Sequence, residues 1–200
     1  LLKILELSKD MAETDTPVVT GGPVCPVRYC EFSCLYVLRE IEGSFLVVTD
    51  LVFDTTAEEV TTSLSACKTD PKARGCTRTW GCACGGAGTA RTVPCAFHGA
   101  LEQVAAVRHL LKEDPAWPDV PLFPSAGGVA VSKDACVRTI EFLAEAAGDS
   151  LRDESGERRM GGHSHRITGS RLLARLGIPL HIIQGLARWG SDVVLHYIQD

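Results

Sequence analysis

The sequence predicts an α+β protein, mainly helical, with one small antiparallel β-hairpin sheet. Three observations carry that expectation. The second half repeats apolar residues at helical spacing between clear stop signals. In the first half, a β-branched alternating stretch is followed by turn residues and then by a second strand-like stretch. Finally, 200 residues, 45% of them hydrophobic, suffice to bury one core, so one domain is expected.

Taken in order, residues 1–24 mix an apolar, charged start with a Thr/Pro/Gly stretch from Thr14 to Pro23, and read as a tail or linker ahead of a domain over 25–200. Glu31 to Val48 is mostly apolar and is expected to form a buried helix leading into a strand over Phe45 to Val48. Val60 to Ala66 alternates as a strand, Lys68-Thr69-Asp70-Pro71 and Gly75 supply a turn, and Thr77 to Trp80 returns as the second strand. Ala100 to Lys112 carries Leu101, Val104, Val107 and Leu111 at helical spacing and stops before Pro115. Ser132 is a natural N-cap for a helix to Ala147, with Gly148 as its stop. A charged loop from Asp149 to Gly162 precedes two short helices. The first runs from Thr168 to Leu176 and is closed by Gly177; the second runs from Pro179 to Arg188 and is opened by its proline.

Composition narrows the function classes. No stretch approaches the roughly 20 apolar residues of a bilayer span, and charge interrupts the apolar start too early for a secretory signal. Nine cysteines, an odd number in short C-x-C and C-x-x-H spacings, fit a reducing, intracellular compartment better than secretion. The net charge of −5 is unevenly spread: residues 151–200 hold seven arginines against five acidic residues. The end of the chain is therefore its basic part, the part suited to phosphate. The chain begins with Leu1 and ends at Asp200, and is expected to be a piece of a larger protein, truncated at both ends.

The most informative stretch is Gly162-His163-Ser164-His165-Arg166, followed by Leu176-Gly177-Ile178, Ile183-Gln184, Trp189 and Tyr197. Upstream stand Arg39 and Glu42 at Arg-x-x-Glu spacing, and Lys68, one of only six lysines, 29 residues after Arg39 in the expected hairpin turn. In kind and in order these blocks resemble the catalytic domain of the tyrosine recombinase (phage integrase) family, in the Cre-like variant with Trp in place of the second His. The resemblance runs in blocks from about Val24 to Asp200. It departs from the family in three details: Trp189 and Tyr197 stand one residue closer than the family spacing, Arg188 occupies a place where the family has a small residue, and the sequence ends three residues after Tyr197, where the family continues with a helix, and lacks the family's separate N-terminal DNA-clamping domain.

The resemblance implies the tyrosine-recombinase catalytic fold and a reaction that cuts and rejoins DNA through a covalent 3′-phosphotyrosine. Tyr197 would attack the phosphodiester, and Arg39 and Arg166 would clamp the non-bridging oxygens, because a guanidinium fork matches phosphate geometry and stays charged. Lys68 would protonate the leaving 5′-oxygen, His163 would assist proton transfer at Tyr197, and Trp189 would donate its indole N–H. Glu42 would orient the arginines in support. The other histidines, His109, His165, His181 and His196, read as helix or loop residues, although the place of His165 beside the motif would let it touch phosphate. The implied partner is double-stranded DNA, with self-association on DNA and no membrane, in a DNA-containing compartment (nucleus or nucleoid). No cofactor is required for the chemistry.

Independently of any resemblance, Cys82, Cys84, Cys95 and His98 have spacings that suit a closed structural zinc site, with Cys76 as an alternative ligand. Two alternatives to an active recombinase remain open on the sequence. One is a catalytically inactive DNA-binding remnant of the same fold; the other is a zinc-stapled interaction module.

Overall fold

A computed structural model of the protein describes residues 16–64, 75–84, 94–189 and Leu195. Lys68 with the rest of the expected hairpin turn, and Tyr197, lie outside the described residues. Helix α1 (Pro26–Leu35) opens with a proline in its first turn, where the missing N–H costs nothing. Almost every residue along it is buried, because α2 (Glu40–Ser44), α3 (Ala96–Leu111), α4 (Lys133–Ala146) and α5 (Ser164–Arg175) all pack against it. A last helix, α6 (Leu180–Ala187), lies on α5. Strands β1 (Leu51–Asp54), β2 (Glu59–Leu64) and β3 (Cys76–Gly81) form one antiparallel sheet in that order, with Leu51 opposite Thr62 and Leu64 opposite Cys76. The sheet rests on α3 through β2 and β3.

The main core gathers Tyr29, Phe32, Leu38, Phe123 and Leu143 around α1, and a smaller one gathers Val37, Leu173, Ile183 and Ala187 between α5 and α6. Gly22, Pro23 and Val24 are buried against this body, and the Val24 amide donates to Pro124 O at 2.8 Å. No helix among the described residues is long and apolar enough to cross a membrane.

The expected mainly helical α+β class with a small antiparallel sheet is what the structure has, but three local expectations change. The single helix from Glu31 toward Val48 is instead two helices, broken at residues 36–39. There Val37 adopts φ 53°, a left-handed conformation that is costly for a β-branched residue. Phe45 to Val48 is not a strand. Only Val47 bridges to Pro121, flanked by Val48 N–H to Val120 O (3.0 Å) and Leu122 N–H to Leu46 O (2.7 Å). Pro121 has no N–H to carry the ladder further, and the chain turns into a 3-10 helix at Val48–Asp50 instead. The strand β1 was not expected from sequence, because Leu51-Val52-Phe53-Asp54 does not alternate apolar with polar residues; Val52 is an exposed valine between buried Leu51 and half-buried Phe53.

A close approach between helices is where α5 crosses α1. A Cβ added at Gly169 would stand 2.0 Å from the Cys34 carbonyl oxygen, so the backbones meet only because no side chain intervenes. Gly169→Ala is expected to cost at least about 1–3 kcal/mol, as overpacking does. At Gly185, on α6, an added Cβ meets nothing within 4 Å, and alanine there is expected to gain about 0.5–1 kcal/mol. Urea unfolding of the two variants checks both signs.

Candidate active site

The break between α1 and α2 exposes main-chain carbonyls that no helix satisfies, and arginines from distant parts of the chain take them. Arg166, in the first turn of α5, donates from Nε to Val37 O at 3.2 Å. Arg78, on β3, reaches both Tyr36 O and Leu186 O. A third acceptor is Glu42. Its carboxylate accepts from Arg166 Nη2 at 2.8 Å and from the Arg39 amide at 2.8 Å, and its other oxygen pairs with Arg188 Nη2 at 2.7 Å. One carboxylate thus ties α2 to α5 and to the end of α6.

Arg166 is only 2% exposed, and its burial, ahead of its charged neighbours, moves its pKa down. Arg78 is also buried, and burial first brings it to about 10, still protonated at neutral pH. The Arg39 guanidinium is close enough for its charge to act on both Arg166 and His163. Positive charge therefore exceeds what Glu42 can balance. The Nε of Arg39 and that of Arg188 are buried with no hydrogen-bond acceptor. An anion placed here would find donors already aimed and uncommitted.

His163 stands at the N-cap of α5, on the surface beside these arginines. Partial desolvation first, then the charges of Arg39 and Arg166, hold its pKa below the ordinary imidazole value. It is therefore mainly neutral at neutral pH and able to accept a proton. The approach of this turn to α2 depends on Gly162, whose added Cβ would fall 2.3 Å from the Glu40 carboxylate. Trp189 follows Arg188 directly and packs, partly buried, on the smaller core.

The structure thus brings together Arg39 and Glu42, from the first turn of α2, with His163 and Arg166, from the first turn of α5, and Trp189 adjoins them. Lys68 and Tyr197 are not among the described residues. Two members of the cluster were missed from sequence as parts of the site. Arg78 sits in an ordinary strand pattern, and no local signal marks it. Arg188 was noticed only as a departure from the family; it takes the left-handed conformation (φ 53°) that ends α6, and this turns its side chain back to Glu42.

His165, read from sequence as a helix or loop residue, lies in α5 and points inward, away from the arginine cluster: it is 3% exposed, with Nε2 3.2 Å from Cys30 Sγ and its ring edge-on to Tyr29.

A second cluster lies at the far side of the sheet. Cys82 and Cys84 follow β3, Cys95 caps α3 and His98 is in its first turn; the ligand atoms of all four lie within 4.8 Å of one another. Cys76 is not with them, being at the opposite end of β3.

No family model matches the chain, and no curated protein does either. Solved structures do resemble it. The XerH site-specific recombinase bound to difH substrate, in a pre-cleavage complex, matches with a TM-score of 0.59 at 18% identity, over 88% of this chain and 43% of that one. The Tn1549 transposon integrase in complex with circular intermediate DNA matches with a TM-score of 0.51 at 14% identity, over 87% and 53%. The chain thus spans about half or less of the length of these proteins.

Two predictions follow from the buried charges and from His165. Glu42→Ala leaves Arg166 and Arg188 without their carboxylate and is expected to cost about 3–5 kcal/mol in urea unfolding, the scale of breaking a buried ion pair. His165 is held down to about 3 by burial, whereas an unfolded imidazole titrates near about 6.5. The unfolded chain therefore binds the extra proton between these values. Stability is full above about pH 6.5 and falls as pH drops toward about 3, by up to about 1.4 kcal/mol per unit from this residue. His165→Gln is expected to flatten that slope in pH-dependent unfolding.

By its helical body, three-stranded sheet and structural likeness, this chain has the catalytic-domain fold of the tyrosine recombinases.

Proposed function

We propose that this chain belongs to the tyrosine recombinase family and is its DNA-cleaving and rejoining domain, working through a 3′-phosphotyrosine at Tyr197. The observation that carries the reading is the arginine cluster: in a fold shared with DNA recombinases, Arg39, Arg166 and Arg188 surround one carboxylate, with guanidinium donors left unsatisfied. A phosphodiester supplies the missing acceptors.

In this reading Arg39 and the uncommitted part of the Arg166 guanidinium hold the non-bridging oxygens, where charge grows as the phosphorus becomes five-coordinate. Glu42 keeps both arginines in place. The neutral His163 accepts the proton as the Tyr197 oxygen attacks phosphorus, and Lys68 delivers a proton to the departing 5′-oxygen. Trp189 takes the place of the family's second histidine and donates its indole N–H. The new ester keeps the energy of the broken one, so the 5′-hydroxyl of another strand can reverse the step. Guanidinium charge does the work of a metal, and the chemistry calls for no cofactor. Tyr29 and Tyr36 are poor alternatives as nucleophiles, since both are 0% exposed and burial lifts their pKa, that of Tyr36 to about 12.

The partner in this reading is double-stranded DNA. Exchange of strands needs more than one active site, so the protein acts as an assembly on DNA, in the compartment that holds it.

The test uses the full-length natural protein and a DNA duplex nicked so that the cleaved fragment diffuses away. A covalent protein–DNA adduct is expected to accumulate. Tyr197→Phe should abolish it while sparing DNA binding, and Arg39→Ala should slow its formation by about 10²- to 10³-fold. Binding should weaken steeply with salt, since the contacts are to phosphate. An adduct that survives Tyr197→Phe would overturn the assignment; DNA binding without any adduct would indicate an inactive remnant of the fold.

A further inference from the structure

The cysteine cluster beyond the sheet takes no part in the phosphate chemistry, and its geometry is that of a ligand set. Cys82 Sγ and Cys95 Sγ are 3.9 Å apart, and His98 Nδ1 is 3.5 Å from the first and 3.4 Å from the second. Zinc binds thiolate sulfur at about 2.3 Å and imidazole nitrogen at about 2.0 Å, so tetrahedral ligands are separated by about 3.8 Å for two sulfurs and about 3.5 Å for sulfur and nitrogen. The observed separations match these edges. They exclude a disulfide between Cys82 and Cys95, which needs about 2.05 Å, and none of the eight described cysteines is in a disulfide.

The backbone around the cluster is arranged as such sites require. The Ala83 amide points at Cys95 Sγ at 3.4 Å and the Cys84 amide at Cys82 Sγ at 3.4 Å, so peptide N–H groups face the sulfurs that would carry negative charge. Buried Glu31 accepts from the Cys95 amide at 3.0 Å and fixes the start of α3, which sets where Cys95 and His98 point. The four side chains come from two separate elements, the strand end after β3 and the first turn of α3. Each pair on its own is only a C-x-C or a C-x-x-H.

We propose that Cys82, Cys84, Cys95 and His98 bind one structural zinc ion, three thiolates and one imidazole, that staples the end of β3 to the N-terminus of α3. With four protein ligands the site is closed and leaves no position for a reactive water. Cys82 also donates its amide to Glu58 O at 2.8 Å, so the staple reaches the β1–β2 turn as well. Leu64 and Cys76, between which β2 and β3 connect, pair at the opposite end of the two strands, so the metal anchors the end of the sheet away from that connection.

The protein is to be purified without added metal, assayed for bound zinc, and exchanged with cobalt(II). About one equivalent of zinc is expected. The cobalt form should show the d–d bands and thiolate charge-transfer absorption of tetrahedral sulfur-rich coordination. Cys84→Ser and His98→Ala should each lose the zinc equivalent, whereas Cys76→Ser, at the far end of β3, should retain it. Chelation should lower the thermal midpoint and zinc should restore it. Zinc retained by both ligand variants would overturn the proposal. So would wild-type protein that carries no zinc and gives no tetrahedral cobalt spectrum, a result that does not depend on whether the variants fold. None of these readouts involves DNA, so the zinc assignment and the recombinase assignment stand or fall separately.

Discussion

The arrangement of this protein hinges on one carboxylate. Glu42 sits at the third position of a five-residue helix, where it caps the Arg39 amide, and the same two oxygens balance Arg166 and Arg188. Guanidinium groups gathered this closely repel one another, and Arg166 has lost nearly all contact with water. Without a nearby anion the cluster would not form. Because Glu42 is both cap and counter-ion, the place where α2 begins and the place where α5 and α6 converge are fixed together.

That constraint accounts for the backbone around it. The break after α1 puts Val37 in a conformation valine avoids, and the end of α6 puts Arg188 in the same region. Each such residue costs on the order of 1 kcal/mol or more, and persists only where surrounding contacts outweigh it. Here they do. Val37 is fully buried in the smaller core while its carbonyl accepts from Arg166, and Arg188 is held by Glu42. Strain concentrated beside a cluster of aimed, unsatisfied donors is the pattern of a site preorganised for a ligand.

The arginines divide by what their nitrogens already hold. Arg78 spans two main-chain carbonyls and serves as a brace between the sheet, the α1 break and α6. Arg166 is half committed, through Nε and Nη2. The Nε of Arg39 has no acceptor at all. Strand β3 links this centre to the cysteine cluster: Arg78 and Trp80 share one face by the alternation of a strand, and Cys82 follows at its end. The sheet is small, yet it spans the distance between two polar centres.

The sequence by itself determined the class of the fold and most of its helices, because apolar spacing, the Ser132 cap and the glycine and proline stops are local signals, read within one or two turns. The resemblance to the tyrosine recombinases marks Arg39, Glu42, His163 and Arg166, and ligand type marks the cysteine quartet. The sequence did not reveal the break at residues 36–39, since the run is apolar throughout and only distant arginines make its free carbonyls tolerable. Nor did it mark Arg78 or Arg188 as members of the cluster, or show that His165 turns inward while its neighbour Arg166 joins Glu42. Those outcomes depend on partners 40 to more than 120 residues away in sequence. Which side of a helix is inside, and which charge meets which, is settled by packing across the chain; no periodicity along it records the answer.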